Sequence, residues 1–261
     1  MMQSSRSRKA ALRVRVPSRK LMILSLAIFA ILPPIFFHFR LRRLQQLQFT
    51  KCRWLNDPPL VCAHGGDSSK ASPNTMASYF HALQSRVDCI EIDVSRSSDG
   101  VLFALHDRDL QRLTGSATSK VGYLNSKEVE KTECSNCLIW AKSDILARDV
   151  IKLSSEITSG MMQVGYIVMR EPSTGARTNL LRMKGAEVVG VYHPLIDENL
   201  VKVLHRRNKK VYAWTVDDVE SMQKVLFEHV DAIVTSNPTF LQRLMQDIKT
   251  QCLEEGYSLP R

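Results

Sequence analysis

Between Val61 and Leu110 the chain gathers two histidines, two carboxylates and a DG turn in four short motifs. They read AHGG at 63–66, SPNT at 72–75, CIEIDVSRSSDG at 89–100 and LHDRDL at 105–110. Glu91 and Asp93 are two residues apart, so on a strand both project from one face. Such a pair can grip one hard divalent cation, Mg²⁺ or Ca²⁺, and leave positions for substrate oxygens. A cation held there neutralises phosphate charge, and the two histidines, His64 and His106, supply acid and base near neutral pH. Asp107 follows His106 directly and is placed to orient its ring. Singly, these residues are commonplace: a Glu-x-Asp at a strand end is more often a solvated pair, and a lone histidine more often structural. Their order and spacing together point to metal-assisted hydrolysis of a phosphodiester.

Strands must carry these groups. Short apolar runs rich in β-branched residues predict strands at Leu60–Ala63, Cys89–Val94, Cys137–Trp140, Val164–Met169, Glu187–Val191, Val211–Thr215 and Ala232–Thr235. Helix-period segments alternate with them at Thr75–Gln84, Ser143–Ser154, Asn179–Met183, Asp197–Arg207, Asp218–Phe227 and Thr239–Asp247. That alternation implies right-handed βαβ units and a parallel sheet. Val101–Leu105 follows the Asp99-Gly100 turn and reads as a hairpin excursion rather than a barrel strand. His64, Glu91 and Asp93 all fall at strand C-terminal ends, where α/β barrels place their active sites.

Seven βα units are recognisable, whereas an eight-stranded barrel needs one more and typically about 250 residues. From Leu60 onward only 202 residues are present. The tight place is Asp109–Asn136, with one short helix near Ser126–Thr132 and no strand-like run. The barrel is therefore expected to be incomplete, lacking one unit there and leaving strand edges exposed. Lys142, just past the Cys137–Trp140 strand, is a candidate phosphate contact, with a solvated lysine an equal alternative. Trp214 and His193 are assigned structural roles. His81, His205 and His229 fall on helical segments and carry no signal.

The net charge of +10 invites a nucleic-acid reading, but its distribution excludes one. Residues 1–53 hold twelve Lys or Arg and no Asp or Glu. The remainder has 24 basic against 26 acidic residues, a net of −2. The basic residues flank an uncharged apolar run, Leu21–Phe37. The expected order is a basic cytosolic tail over 1–20, a transmembrane signal-anchor over 21–38, a linker over 39–58, a barrel over 59–248 and a tail over 249–261. Stronger positive charge before the span favours a single-pass protein with a cytosolic N-terminus and a lumenal or external body. A plastid or mitochondrial transit peptide is the alternative, since the first twenty residues are rich in Arg and Ser and free of acid. Of six cysteines, Cys134 and Cys137 form a lone C-x-x-C, read as ordinary thiols or a local disulfide rather than a zinc site. Cys62 and Cys89 are read as core residues.

His64-Gly65, Pro73-Asn74-Thr75, Glu91-Ile92-Asp93-Val94, Ser98-Asp99-Gly100 and His106-Asp107 resemble the glycerophosphodiester phosphodiesterase family, in an anchored plant-type form. The likeness continues through Ile139–Asp144, Val164–Met169, Val191–Pro194, Val211–Val216 and Ala232–Pro238. It implies a TIM-like barrel of the phospholipase-C-like phosphodiesterase type. It also implies hydrolysis of glycerophosphodiesters to sn-glycerol 3-phosphate and an alcohol, with a glycerophosphodiester or lysophospholipid-like molecule as the substrate partner. By the same resemblance, His64 and His106 are the acid/base pair, and Glu91 and Asp93 bind a divalent metal. Two departures stand out. Gly65 occupies the position of the family's arginine, so a bidentate phosphate clamp is lost, and Ser72 begins a motif from which the family's glutamate has gone. The family's third strand carries a further acidic ligand and a lysine, and that is the strand missing here. A shortened product of a longer protein is expected, its joint near Ser126–Glu130. The alternative is a catalytically impaired domain that binds phosphodiesters or protein partners at a membrane.

Overall fold

The computed structural model describes residues 18–106, 122, 137–141, 163–171, 173–183 and 185–258. The chain divides into two units, with the boundary between Phe49 and Thr50. The first is built on helix α1, Arg19–Cys52, which contains Pro33 and Pro34 without being ended by them. The helix is long and apolar enough to cross a membrane: its best 18-residue window has a mean hydropathy of 2.2, and none of that window is buried. The segment expected to be a linker from residue 39 is helical as far as Cys52 and then passes into a 3₁₀ turn, Arg53–Asn56. Its Leu, Arg and Gln residues are good helix formers, which accounts for the continuation.

The second unit is a barrel. Its strands are β1 (Leu60–His64), β2 (Cys89–Arg96), β3 (Leu102–Ala104), β4 (Cys137–Ala141), β5 (Gln163–Val168), β6 (Val188–Tyr192), β7 (Lys210–Trp214) and β8 (Ala232–Thr235). Apart from β3 they pair in parallel, in the order β1-β8-β7-β6-β5-β4-β2, and β2 pairs back to β1. The seven expected strands thus close a ring. The expectation of an open edge beside β2 is corrected: Ile90–Val94 pair with Cys137–Ala141 over five positions. β2 and β4 meet directly, and no described strand lies between them.

Side-chain alternation sorts the ring into two layers. Cys62, Val188, Tyr212, Ala232 and Val234 form one buried cluster, with Cys89, Ile167 and Trp214 packed against it. This is the interior of the barrel. The intervening residues, among them Val61, Val189, Val191, Val211, Ala213 and Ile233, join the larger layer that contains the helices' apolar faces.

Those helices are α2 (Met76–Gln84), α3 (Glu198–His205), α4 (Val219–Phe227) and α5 (Pro238–Glu254). Each begins at a residue whose side chain accepts a backbone N–H of the first turn: Thr75, Asp197, Asp218 and Asn237. Asn179–Met183, expected to be helical, is turn and irregular backbone instead. The expected helices at Ser143–Ser154 and Ser126–Thr132, and Lys142, lie outside the described residues.

Among the described residues two cysteine pairs are bonded; Cys134 of the C-x-x-C lies outside them. Cys52, just after the boundary, is bonded to Cys252 of α5 across 200 residues, with Cα atoms 5.8 Å apart. Lys51–Glu255 at 2.8 Å and Tyr257–Asn56 at 3.2 Å fasten the same segment to the end of α5 and the residues beyond it. Cys62 and Cys89, expected as core residues, do lie in the barrel interior, opposite each other in the β1–β2 register, and are joined to each other as well.

Candidate active site

The β1–β2 register sets Cys62 beside Cys89 and His64 beside Glu91. Two residues above the interior cluster, His64 and Glu91 therefore share the barrel mouth, and Asp93 follows on the same face of β2. One ligand atom each from His64, Glu91 and Asp93 lie within 4.8 Å of one another. His64 Nε2 is 4.0 Å from Glu91 Oε2. The cluster is graded in exposure: Glu91 is fully buried, Asp93 is 6% exposed, and the His64 side chain is 29% exposed. Two buried carboxylates so close repel each other, and a cation between them removes the repulsion. The two carboxylates form a donor set suited to a hard divalent ion, and the His64 imidazole stands beside it.

His106 reaches this region by topology. Val94 pairs with Ala141 of β4 and with Ala104 of β3, so β3 must lie on the opposite edge of β2 from β4. Ile90 likewise has β4 on one side and β1 on the other. β1 and β3 therefore share one edge of β2, end to end. β3 runs antiparallel, back toward the end of β1, and His106 comes two residues after its last residue. The hairpin carries the second histidine toward the first. His106 is half-buried.

The HGG and PNT motifs build the wall behind the carboxylates. Gly65 has φ +60°, and a Cβ there would lie 2.8 Å from the Cβ of Pro73. Gly66 has φ +91°, and a Cβ would strike Ser78 at 2.5 Å. Both positions require glycine. The Gly65 N–H donates to Glu91 Oε2 at 3.0 Å. Ser78 Oγ donates to Gly65 O at 2.7 Å and ties the turn to α2. Asn74 Nδ2 donates to Asp93 Oδ2 at 3.0 Å, and Asn74 Oδ1 accepts from Asp93 N at 3.1 Å. Tyr79 Oη donates to the same Oδ1 at 3.3 Å. Burial raises the Tyr79 phenol's pKa, and the charges of Glu91 and Asp93 raise it further, so it remains a neutral donor.

The residues at other strand ends are partly aromatic. Tyr192 and Trp214 are neighbours in the β6–β7 register, with ring centroids 5.8 Å apart, and Tyr192 stacks edge-on with His193 at 5.4 Å. Trp214 packs on the interior cluster. Sequence reasoning singled out His64, Glu91 and Asp93, which the fold brings together. It passed over the contacts of Asn74 and Tyr79. The PNT motif was the available signal for Asn74, but its partner, nineteen residues away, is not legible in the motif.

A profile of the glycerophosphoryl diester phosphodiesterase family matches residues 64–159 and 149–239. The chain is 47% identical to glycerophosphodiester phosphodiesterase GDPD4 of Arabidopsis thaliana, over 92% of this chain and 90% of that one. It is 24% identical to a glycerophosphodiester phosphodiesterase of Caldanaerobacter subterraneus, over 72% of this chain and 98% of the relative. Among solved structures, an Oleispira antarctica phosphodiesterase in complex with sn-glycerol-3-phosphate has a TM-score of 0.56 at 20% identity, covering 72% of this chain and 97% of that one. A glycerophosphodiester phosphodiesterase from Parabacteroides distasonis has a TM-score of 0.57 at 18% identity, covering 74% and 98%. These likenesses show the barrel fold. The Arabidopsis alignment spans 299 positions, yet 92% of this 261-residue chain is about 240 residues. About 60 positions of that relative therefore have no counterpart here. The Caldanaerobacter alignment, 246 positions over 72% of the chain, leaves a gap of similar size.

Proposed function

The chain belongs to the glycerophosphoryl diester phosphodiesterase family, and from that premise we propose that it hydrolyses glycerophosphodiesters to sn-glycerol 3-phosphate and an alcohol. The observation that carries the proposal is the His64–Glu91–Asp93 cluster at the barrel mouth. Glu91 and Asp93 would hold a divalent cation, Mg²⁺ or Ca²⁺. Bound there, such an ion withdraws charge from the phosphoryl oxygens and steadies the negative charge that develops in the transition state.

The histidines move protons. His64 is the most exposed member of the cluster and the one a substrate can touch. One of the pair His64 and His106 accepts the proton of the attacking hydroxyl as the new P–O bond forms. The other gives a proton to the leaving-group oxygen as the old P–O bond breaks, so no free alkoxide is released. The attacking hydroxyl belongs to water, or to the substrate's own glycerol; in the second case the cyclic phosphate formed as the alcohol leaves is then opened by water to give glycerol 3-phosphate. Lys142 is assigned as a phosphate contact on sequence alone.

The body is assigned to an oxidising compartment. The Cys52–Cys252 bond supports this, because such bonds persist in lumenal and external spaces. With α1 as a single membrane span, the excess of positive charge before it favours a cytosolic N-terminus.

The seven-strand ring and the gap of about 60 positions favour a second reading for this form of the protein. A site short of a ligand holds its ion weakly, and the domain then serves to bind phosphodiesters or a protein partner at the membrane. Glycerol 3-phosphate release separates the two. The enzymatic reading expects release that stops with EDTA and returns with Mg²⁺ or Ca²⁺, at rates well below those of a relative with eight strands. No release under any cation supply would leave only the binding reading. Release at the relative's full rate would refute the proposed impairment.

A further inference from the structure

We infer that Asn74, with Tyr79 behind it, is the positioning residue of the metal site. The inference rests on the cation-binding reading above and adds a residue to it. Asn74 stands at φ +60°, a backbone region that asparagine tolerates better than most residues. This conformation turns its amide across to β2. There the amide makes two contacts with one residue: it donates to Asp93 Oδ2 and accepts from Asp93 N. The chemistry fixes its orientation. A backbone N–H can only donate, so the atom facing it must be Oδ1, and the Nδ2 group is left to face the carboxylate. Tyr79 donates to the same Oδ1 and holds the amide from the α2 side.

The same residue reaches the second carboxylate through the backbone. Asn74 N–H donates to Gly65 O at 2.7 Å, and Gly65 N–H donates to Glu91 Oε2 at 3.0 Å. One loop residue thus fixes the rotation of the Asp93 carboxylate directly and that of Glu91 through a single intervening glycine. Partners behind metal ligands set ligand orientation, and their loss typically weakens metal affinity roughly 10- to 100-fold.

The test is calorimetric titration of Mg²⁺ and of Ca²⁺ into the full chain in detergent, for the parent, Asn74→Gly and Tyr79→Phe. Glycine keeps the left-handed backbone and the N–H that bonds Gly65 O, and removes the side chain with its carboxamide. The expected result is a roughly tenfold or greater loss of cation affinity in Asn74→Gly, with a melting temperature close to the parent's. Tyr79→Phe is expected to lose roughly two- to fivefold, since it removes one indirect contact. In both variants, turnover should recover as cation concentration is raised, which a general folding defect would not show. Cation affinity in a folded Asn74→Gly within twofold of the parent overturns the inference and leaves the metal-binding reading intact. Should Asn74→Gly fail to fold, Tyr79→Phe decides, and parental affinity there overturns the inference. A parent that binds neither cation overturns both.

Discussion

The β1–β3 region and the β6–β8 region belong to one barrel but spend their buried volume differently. Among the described residues, six of the eight buried polar or charged side chains lie between Asp67 and Ser97. In β6–β8 and their helices the buried side chains are almost all apolar, among them Val188, Val189, Val191, Leu200, Leu204, Tyr212, Met222, Leu226 and Ile233. The first region holds carboxylates that repel each other and glycine turns that few residues can replace. The second follows the general rules: β-branched strands, capped helices and an interior almost without charge, with buried Lys209 as the exception. The comparison assigns chemistry to one region and stability to the other, and substitutions in the two should part along that line.

The largest effect is expected at the histidines. His64→Ala or His106→Ala should reduce glycerol 3-phosphate release by roughly 10²- to 10⁴-fold, the usual contribution of a positioned acid or base, with little change in melting temperature. A variant keeping near-parental rates would remove that histidine from the reaction. Next comes the opposite pattern. Leu226→Ala, on the buried face of α4, should lower stability by about 2–5 kcal/mol and leave cation affinity in the folded protein unchanged. A concurrent loss of affinity would blur the division between the regions. Smaller still, Asp197→Ala removes the cap that accepts from Leu200 N and should lower stability by about 1 kcal/mol, measurable by chemical denaturation.

The smallest effect is a pH dependence from the stable region. Burial lowers the pKa of His193, and burial with the nearby charge of Arg53 lowers that of His229, both from an ordinary 6.5. The unfolded chain then binds these protons more tightly than the folded one. Stability is complete above the ordinary value, declines as pH falls through it, and levels off below the lowered folded values. Replacing both histidines with glutamine should flatten that slope in denaturation measured between about pH 7 and 5. An unchanged slope would remove them as its source.

Much of this division was legible in the residues. All seven parallel strands lie within two residues of their expected limits, because each is a short β-branched run between turn signals. Thr75, Asp197 and Asp218 were legible as helix starts for the same local reason. What was not legible depends on distant partners. The Cys52–Cys252 pairing spans 200 residues and has no local signature. The direct β2–β4 pairing closes the ring across a segment that offers no strand pattern, so sequence suggested an open edge. The helical stretch through residues 39–52 looked like a linker because it is polar, although its residues favour helix. Asn74 was visible as part of a motif, but its hold on Asp93 exists only once a left-handed turn aims it at β2.

The central claim is that the buried acids of the first region serve cation binding and catalysis rather than the fold. Glu91→Gln tests it most directly, since the amide side chain keeps the shape and an acceptor for the Gly65 N–H while removing the charge. Thermal unfolding without divalent cation, paired with glycerol 3-phosphate release in its presence, reads both sides of the claim. The predicted result is a melting temperature equal to or above the parent's, because carboxylate repulsion is relieved, together with loss of release. A variant that melts lower than the parent while retaining release would contradict it.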